Sequence, residues 1–223
     1  EYIVPMQHLT QRRDIIATVR SFTGLGLGVG SAGNVRVRVP GGLLITPSSV
    51  PYAELSPVDM VQLNLEGEVI SGRLAPSSEW RFHCDILARR PDVGAVVHVH
   101  SAFATAAACT RRGIPAFHYM IAVAGGDSIR CAPYATFGSA ALSRHALSAL
   151  KDRRACLLAN HGQIALGPNL RSALTMAQEV EELARQYWLS QQLRRPVLLG
   201  RKEMLIILEK FTHYGRRPTG KGR

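Results

Sequence analysis

The segment from Pro76 to His100, PSSEWRFHCDILARRPDVGAVVHVH, constrains the chain more than any other. Ser77 or Ser78 is a suitable cap for a helix running to Arg90, which Pro91 terminates. The apolar run Ala95–Val99 reads as a buried strand ending in the pair His98 and His100. A helix and a strand joined by a short turn pack side by side, so Ser77, Ser78 and Glu79 can meet the two imidazoles. Residues i and i+2 of a strand share a face, so His98 and His100 can reach one ion. An isolated H-x-H is equally a pair of histidines satisfied by backbone or water. His161 shifts the balance: it follows a second apolar strand, Ala155–Ala159, and precedes Gly162, which leaves space beside it. Three neutral imidazoles with one open position form a catalytic zinc arrangement. Glu79 is placed to fill that position at rest and to leave it when substrate binds. Ser48, Ser49, Ser77, Ser78 and the turn at Asn34 supply neutral donors that suit a phosphate without a P-loop, although singly each is an ordinary turn or cap residue.

The rest of the chain predicts an α/β fold. Met6–Phe22 has apolar residues at helical spacing. Gly28 to Gly33 spells G-x-G-x-x-G, but a dinucleotide fingerprint needs a strand before it and a helix after it; here the order is reversed. Strands follow at Val35–Val39 and Leu43–Ile45, then a hairpin of Val61–Leu65 and Glu68–Ser71. Ser101–Cys109 reads as a helix, Ile114–Ala124 as an irregular strand and Gly138–Leu150 as a helix. Leu170–Leu193 is the longest helix, and Met204–Phe211 the last. The expected architecture is a single-domain α/β/α sandwich whose mostly antiparallel central sheet is flanked by helices. Residues 1–215 would form it, with 216–223 as a disordered basic tail.

Composition narrows the function classes. With 46% apolar residues in 223, the chain can bury a sizeable core. No apolar run approaches a membrane span. Gln7, His8 and Gln11-Arg12-Arg13-Asp14 interrupt any signal-peptide pattern, so a cytoplasmic protein is expected. The four cysteines form no C-x-x-C pair and suggest buried thiols. The net charge of +11 is spread along the chain, and aromatics do not interleave with basic residues as a nucleic-acid stacking platform requires. The expected partner is a phosphorylated small molecule, with no nucleic acid and no membrane.

In its ordered motifs the chain resembles the class II aldolases of the fuculose-1-phosphate aldolase type, over nearly its whole length. The motifs are GNVxVR at Gly33–Arg38, LITP at Leu44–Pro47, PSSEWRFH at Pro76–His83 and VVHxH at Val96–His100. HYMIA at His118–Ala122, SIxCAPYATFG at Ser128–Gly138, NHG at Asn160–Gly162 and KFTHYG near the end complete the set. The resemblance implies a zinc site of His98, His100 and His161, with manganese or cobalt as substitutes. Glu79 would be the acid/base and would also touch the free metal. Gly33, Asn34, Ser48, Ser49, Ser77 and Ser78 would hold the phosphate. Tyr119 would donate a proton across a subunit boundary, and Tyr214 would lie in the C-terminal segment over the site. Members are usually cyclic homotetramers with the site at the interface. Two positions depart from the family pattern: Arg36 stands where it has serine, and Ser49 where it has glycine.

The expected reaction is reversible cleavage of a ketose 1-phosphate to dihydroxyacetone phosphate and an aldehyde. The substrate would be fuculose 1-phosphate or a 5-deoxyribulose or 5-methylthioribulose 1-phosphate. The hard species is the enediolate left when C3–C4 breaks. No lysine lies in an obvious site motif, so a metal should carry that charge, and Glu79 should have a raised pKa in a partly dry pocket. A sugar-phosphate epimerase, dehydratase or decarboxylase on the same fold is the alternative, and a basic nucleic-acid-binding protein the remote one.

Overall fold

The computed structural model of the chain describes residues 6–213. Tyr214 and the tail at 216–223 lie outside the described residues. The first half runs α1 (Leu9–Ser21), β1 (Asn34–Val39), β2 (Gly42–Ile45), β3 (Val61–Leu63), β4 (Val69–Ser71), α2 (Trp80–Arg89) and β5 (Ala95–Val99). The second half runs α3 (Ala102–Cys109), β6 (Ile114–Pro115), β7 (Ser128–Ala132), α4 (Ala140–Ala149), β8 (Ala155–Leu158), β9 (Gly162–Gly167), α5 (Leu170–Leu193) and α6 (Arg201–His213). The strands form one sheet in the order β4-β3-β2-β1-β5-β9-β8-β7-β6. Every pairing is antiparallel except that of β7 with β8.

β5 lies between β1 and β9 and is buried on both faces, which explains its unbroken apolar run. Ala95, Val97 and Val99 join the core beneath α1, α3, α5 and α6. Val96 faces the opposite way, against Phe82 and Ile86 of α2 and Leu142 and Ala146 of α4. His98 shares that second face and meets the Phe82 ring edge-on at 5.5 Å. Register places Asn34 of β1 directly beside His98 and Arg36 beside Val96. Arg38 ties α2 down at its far end: its Nη2 donates to the Leu87 and Arg90 carbonyls at 3.0 Å, satisfying orphan acceptors of the last turn.

Several elements differ from the sequence reading. Neither Ser77 nor Ser78 caps α2; Glu79 is the N-cap, and the Ser77 hydroxyl accepts from the Glu79 N–H at 3.3 Å. Ile114–Ala124 is not a strand. Pairing stops after Pro115, and Tyr119–Ala124 winds into a 3-10 helix whose start His118 caps by accepting from the Met120 N–H. β7 and β9 were not anticipated. All four cysteines are free, with Cys84 and Cys156 buried, Cys131 half-buried and Cys109 exposed, so the buried-thiol expectation holds for two. The G-x-G-x-x-G stretch lies between α1 and β1 with Val29 exposed at its centre, and no strand leads into it. No helix among the described residues is long and apolar enough to cross a membrane.

Candidate metal centre and phosphate pocket

The last residues of β5, the N-cap of α2 and the β8–β9 turn converge at one end of the sheet. Glu79, His98, His100 and His161 each offer a ligand atom, all within 4.8 Å of one another. Glu79 Oε2 lies 3.0 Å from His98 Nε2, and Oε1 lies 3.3 Å from His161 Nε2. His100 Nε2 is 3.0 Å from His98 Nε2. The rings meet edge to face at centroid separations of 4.8 to 4.9 Å. His98 Nδ1 is 2.8 Å from the Gln163 carbonyl of β9. A carbonyl only accepts, so this bond puts a proton on Nδ1 and turns Nε2 toward the cluster, as a metal-ligating imidazole requires. Gly162 makes the closeness possible: a Cβ there would come within 2.5 Å of the Val99 carbonyl and 2.8 Å of His100 Cδ2.

The electrostatics fit a cation. Burial would push the Glu79 carboxyl up, but the imidazoles of His98 and His161 and the Asn34 amide outweigh it and hold the group well below the usual carboxylate range. The expected raised pKa is thus absent in this resting arrangement, because the carboxylate leans on the imidazoles. His98 is raised: burial lowers it, and the adjacent Glu79 carboxylate more than compensates. Burial, then the charge on His98, lowers His100 and His161 to about 4. Two imidazoles are therefore neutral and ready to ligate at pH 7, and the third shares its site with a carboxylate. Three nitrogen donors and one displaceable oxygen suit zinc.

Above the cluster opens a pocket of about 400 Å³. Gly33, Asn34, Ser48, Ser49, Ser77 and Ser78 line one side, as the sequence suggested, and Ser31 joins them. The two hydroxyl loops are held together by an isolated bridge between Pro47 and Pro76, with Ser77 N–H donating to the Thr46 carbonyl at 3.0 Å. The Tyr52 hydroxyl donates to the Gly33 and Ala32 carbonyls and steadies the glycine turn. Gly33 has φ +98°, and a Cβ would sit 2.5 Å from the His98 carbonyl, so only glycine brings this turn against β5. Ser49 adopts φ +61°, a left-handed conformation that serine resists. The N-terminus of α2 opens at Ser78–Glu79 and favours an anion. Among the described residues, no lysine or arginine lines the pocket.

Tyr134, Ala135, Phe137 and Asn160 also line the pocket. The sequence reading quoted them within motifs and gave them no role; their only signal was two aromatic residues in a short non-periodic segment. Tyr119 does not line this pocket. It stands half-exposed on its 3-10 helix with its ring stacked on Phe211 of α6. Tyr214 falls outside the described residues.

Comparison with known proteins agrees with this architecture. The family described as class II aldolase and adducin N-terminal domain matches residues 13–188. A 5-methylthioribulose-1-phosphate/5-deoxyribulose-1-phosphate aldolase of Rhodospirillum rubrum is 55% identical over 212 residues, covering 95% of this chain and 96% of that one. An L-fuculose phosphate aldolase of Escherichia coli K12 is 50% identical over 206 residues, covering 92% and 95%. A solved L-fuculose 1-phosphate aldolase superposes with a TM-score of 0.88 at 36% identity, covering 95% of this chain and all of that one. The mixed sheet between helices is thus shared with a protein named as a sugar-phosphate aldolase. The chain belongs to the class II aldolase family.

Proposed function

We propose that this chain is a metal-dependent aldolase that reversibly cleaves a ketose 1-phosphate to dihydroxyacetone phosphate and an aldehyde. The observation that carries the reading is one pocket lined by Glu79, His100, His161 and a set of neutral donors, with buried His98 Nε2 3.0 Å from both Glu79 and His100. The substrate class takes in fuculose 1-phosphate and the 5-deoxy and 5-methylthio ribulose 1-phosphates, the compounds named for its relatives. Zinc is the proposed ion, with manganese or cobalt as substitutes. When bound, it supplies Lewis-acid polarisation of the substrate's carbonyl and adjacent hydroxyl oxygens.

The chain's own residues do the rest. His98, His100 and His161 hold the ion, and the Gln163 carbonyl fixes the His98 ring. Gly33, Asn34, Ser48, Ser49, Ser77 and Ser78 hold the phosphate, whose remote binding energy orients the reacting carbons. In the condensation direction Glu79 takes the proton from C3 of dihydroxyacetone phosphate. Tyr119 of a neighbouring copy gives its proton to the aldehyde oxygen, which becomes the C4 hydroxyl as the C3–C4 bond forms. Glu79 then loses its proton to solvent and Tyr119 regains one, and cleavage runs these steps in reverse. Once the carboxylate leaves the imidazoles, burial raises its proton affinity against the opposing Asn34 amide. A homotetramer with the site at the subunit boundary is part of this proposal. Exposed Tyr119, Leu205 and Ile206 supply the apolar surface such a boundary needs. We place the enzyme in the cytoplasm.

The test is Glu79→Gln on the metal-replete protein. It should keep zinc and bind inorganic phosphate, yet lose at least ~100-fold in turnover, the size of a general acid–base contribution. Turnover close to wild type would remove Glu79 from the chemistry. Release of dihydroxyacetone phosphate from a ketose 1-phosphate separates cleavage from epimerisation, dehydration or decarboxylation. Cleavage that survives exhaustive chelation would end the metal-dependent reading.

A further inference from the structure

Behind the ligand cluster the interior holds buried polar side chains that the reaction above does not use. His83 is on the first turn of α2 and wholly buried. Its Nε2 bonds Oδ1 of Asn34, and the other end of that amide, Nδ2, donates to Glu79 Oε2 at 3.0 Å. Elementary chemistry fixes the protons along this row. An ionised carboxylate only accepts, so Asn34 turns its NH₂ toward Glu79 and its carbonyl toward His83. That carbonyl also only accepts, so His83 carries a proton on Nε2. Burial, reinforced by Arg36 and His98, keeps the His83 pKa well below the usual histidine value, so the ring is neutral and Nδ1 is a bare lone pair. His83 Nδ1 has no hydrogen-bond partner among the described residues. Two positions past Asn34 on the same face of β1, Arg36 is also wholly buried, with none of its three side-chain nitrogens bonded. Its charge opposes the imidazolium. The hydrogen-bonded row therefore runs one way, from the donor at His83 Nε2 through Asn34 to the acceptor at Glu79.

We propose that His83 is a positioning residue which, through the amide of Asn34, holds the Glu79 carboxylate in its resting orientation against the imidazole cluster, the position from which it moves onto the substrate. The proposal rests on the aldolase reading for its consequence in turnover, but its hydrogen-bond chain stands apart from that reading. Asn34 spans β1 and the α2 N-cap, and without a donor behind it its amide is free to rotate its oxygen toward Glu79. Two acceptors would then face each other in a dry site, and the carboxylate would swing away.

The first test needs no catalysis. In the full metal-free chain labelled with ¹⁵N-histidine, NMR should show His83 protonated on Nε2 and bare on Nδ1 at neutral pH. The opposite tautomer or a doubly protonated ring overturns the proposal. The second test compares His83→Leu with His83→Gln, whose side-chain amide donates from nearly the same point as Nε2. His83→Leu should lose ~10- to 100-fold in kcat and in zinc affinity, as outer-shell partners do, and His83→Gln should recover most of both. In an Asn34→Ala background His83→Leu should change zinc affinity and kcat by less than about twofold, because the route is already cut. Independent, multiplying losses, or a His83→Gln variant as impaired as His83→Leu, would reduce His83 to a packing residue. Should His83→Leu not fold, the His83→Gln comparison and the tautomer still decide. A wild-type protein that binds zinc yet cleaves no ketose 1-phosphate would instead overturn the aldolase reading, and the zinc-affinity cycle would still judge His83.

Discussion

Arg36→Met removes a charge that the fold holds at a cost. The Arg36 guanidinium is wholly buried and has no hydrogen-bond partner among the described residues, in a strand position flanked by Ile45 and Val96. Burial, reinforced by Arg38 and partly offset by Cys84, lowers its pKa from the ordinary arginine value to about 9. Three and a half decades of proton affinity at ~1.4 kcal/mol each give about 5 kcal/mol at pH 7. That is an upper limit, because side-chain relaxation and water reduce such penalties. Methionine keeps an unbranched chain of similar reach and leaves no unsatisfied donor, so a gain of ~1–4 kcal/mol is expected. Even ~2 kcal/mol raises Tm by ~4–8 °C in a chain of this size. Urea unfolding at matched protomer concentration should show a higher midpoint with unchanged m. The pH dependence gives a second check. The unfolded chain binds the Arg36 proton more tightly, so the penalty is full below about 9 and relaxes as pH rises from there toward the ordinary arginine value. The advantage of Arg36→Met should therefore be constant through neutral pH and shrink above it. A variant no more stable than wild type at pH 7, with unchanged m, would mean that a compensating partner exists and the reasoning is wrong.

Zinc uptake at pH 7 should release at most one proton, from the His98–Glu79 pair, since His100 and His161 are already neutral; calorimetry in buffers of different ionisation enthalpy counts it, and three protons would contradict the site's electrostatics. In the metal-free chain the depressed Glu79 contributes stability above the ordinary carboxylate value and loses it as pH falls through the depressed one. The raised His98 contributes fully below the ordinary histidine value and loses it as pH rises through the raised one. Wild type should therefore exceed Glu79→Gln in stability most between about pH 4.5 and 6.5, and a gap that grows toward pH 9 would be the wrong sign. Ser49→Gly should stabilise by ~0.5–1 kcal/mol through relief of the left-handed backbone, read by thermal unfolding; a loss of stability would mean the Ser49 hydroxyl matters more than the strain. Glu79→Gln and Tyr119→Phe subunits, each nearly inactive alone, should regain activity when unfolded and reassembled together. A mixture no better than its parts would place Tyr119 outside the neighbour's site.

The legible parts of the chain were those where one physical signal dominates. α5 shows six turns of apolar spacing, and its bounds were read as observed. β5 announced itself by a run that only a doubly buried strand can bear, and the two histidines at its end gave two of the three imidazole ligands. β9 was missed because Gln163 sits inside it and glycines bound it. That glutamine is wholly buried, its amide spent on the Ser101 hydroxyl and the Ala177 carbonyl. β7 was hidden by Arg130, whose guanidinium reaches out to the Ala149 and Lys151 carbonyls. Ile114–Ala124 has strand composition, but Pro115 has no N–H to continue the ladder, and His118 caps a 3-10 turn instead. The aromatic wall of Tyr134 and Phe137 follows from tertiary placement alone.

The cause of the β9 miss also bears on the site. Buried polar groups look like surface to any reading of hydrophobic pattern, and here Asn34, Arg36, Glu79, His83, His98 and Gln163 are all buried. Four of them, Asn34, Glu79, His98 and Gln163, are joined by hydrogen bonds or ion contacts around the candidate metal, and His83 joins through Asn34. Arg36 alone acts through its field. A core that selected only for stability would place an apolar residue there. Keeping a bare guanidinium beneath α2 makes sense if the orientation of Glu79 is worth more to the protein than the stability forgone. The two measurements separate cleanly: Arg36→Met should raise the unfolding midpoint whether or not it alters turnover. A gain in stability coupled to a lower kcat would identify Arg36 as the far end of the row that holds the carboxylate, and a gain with kcat unchanged would end that row at His83.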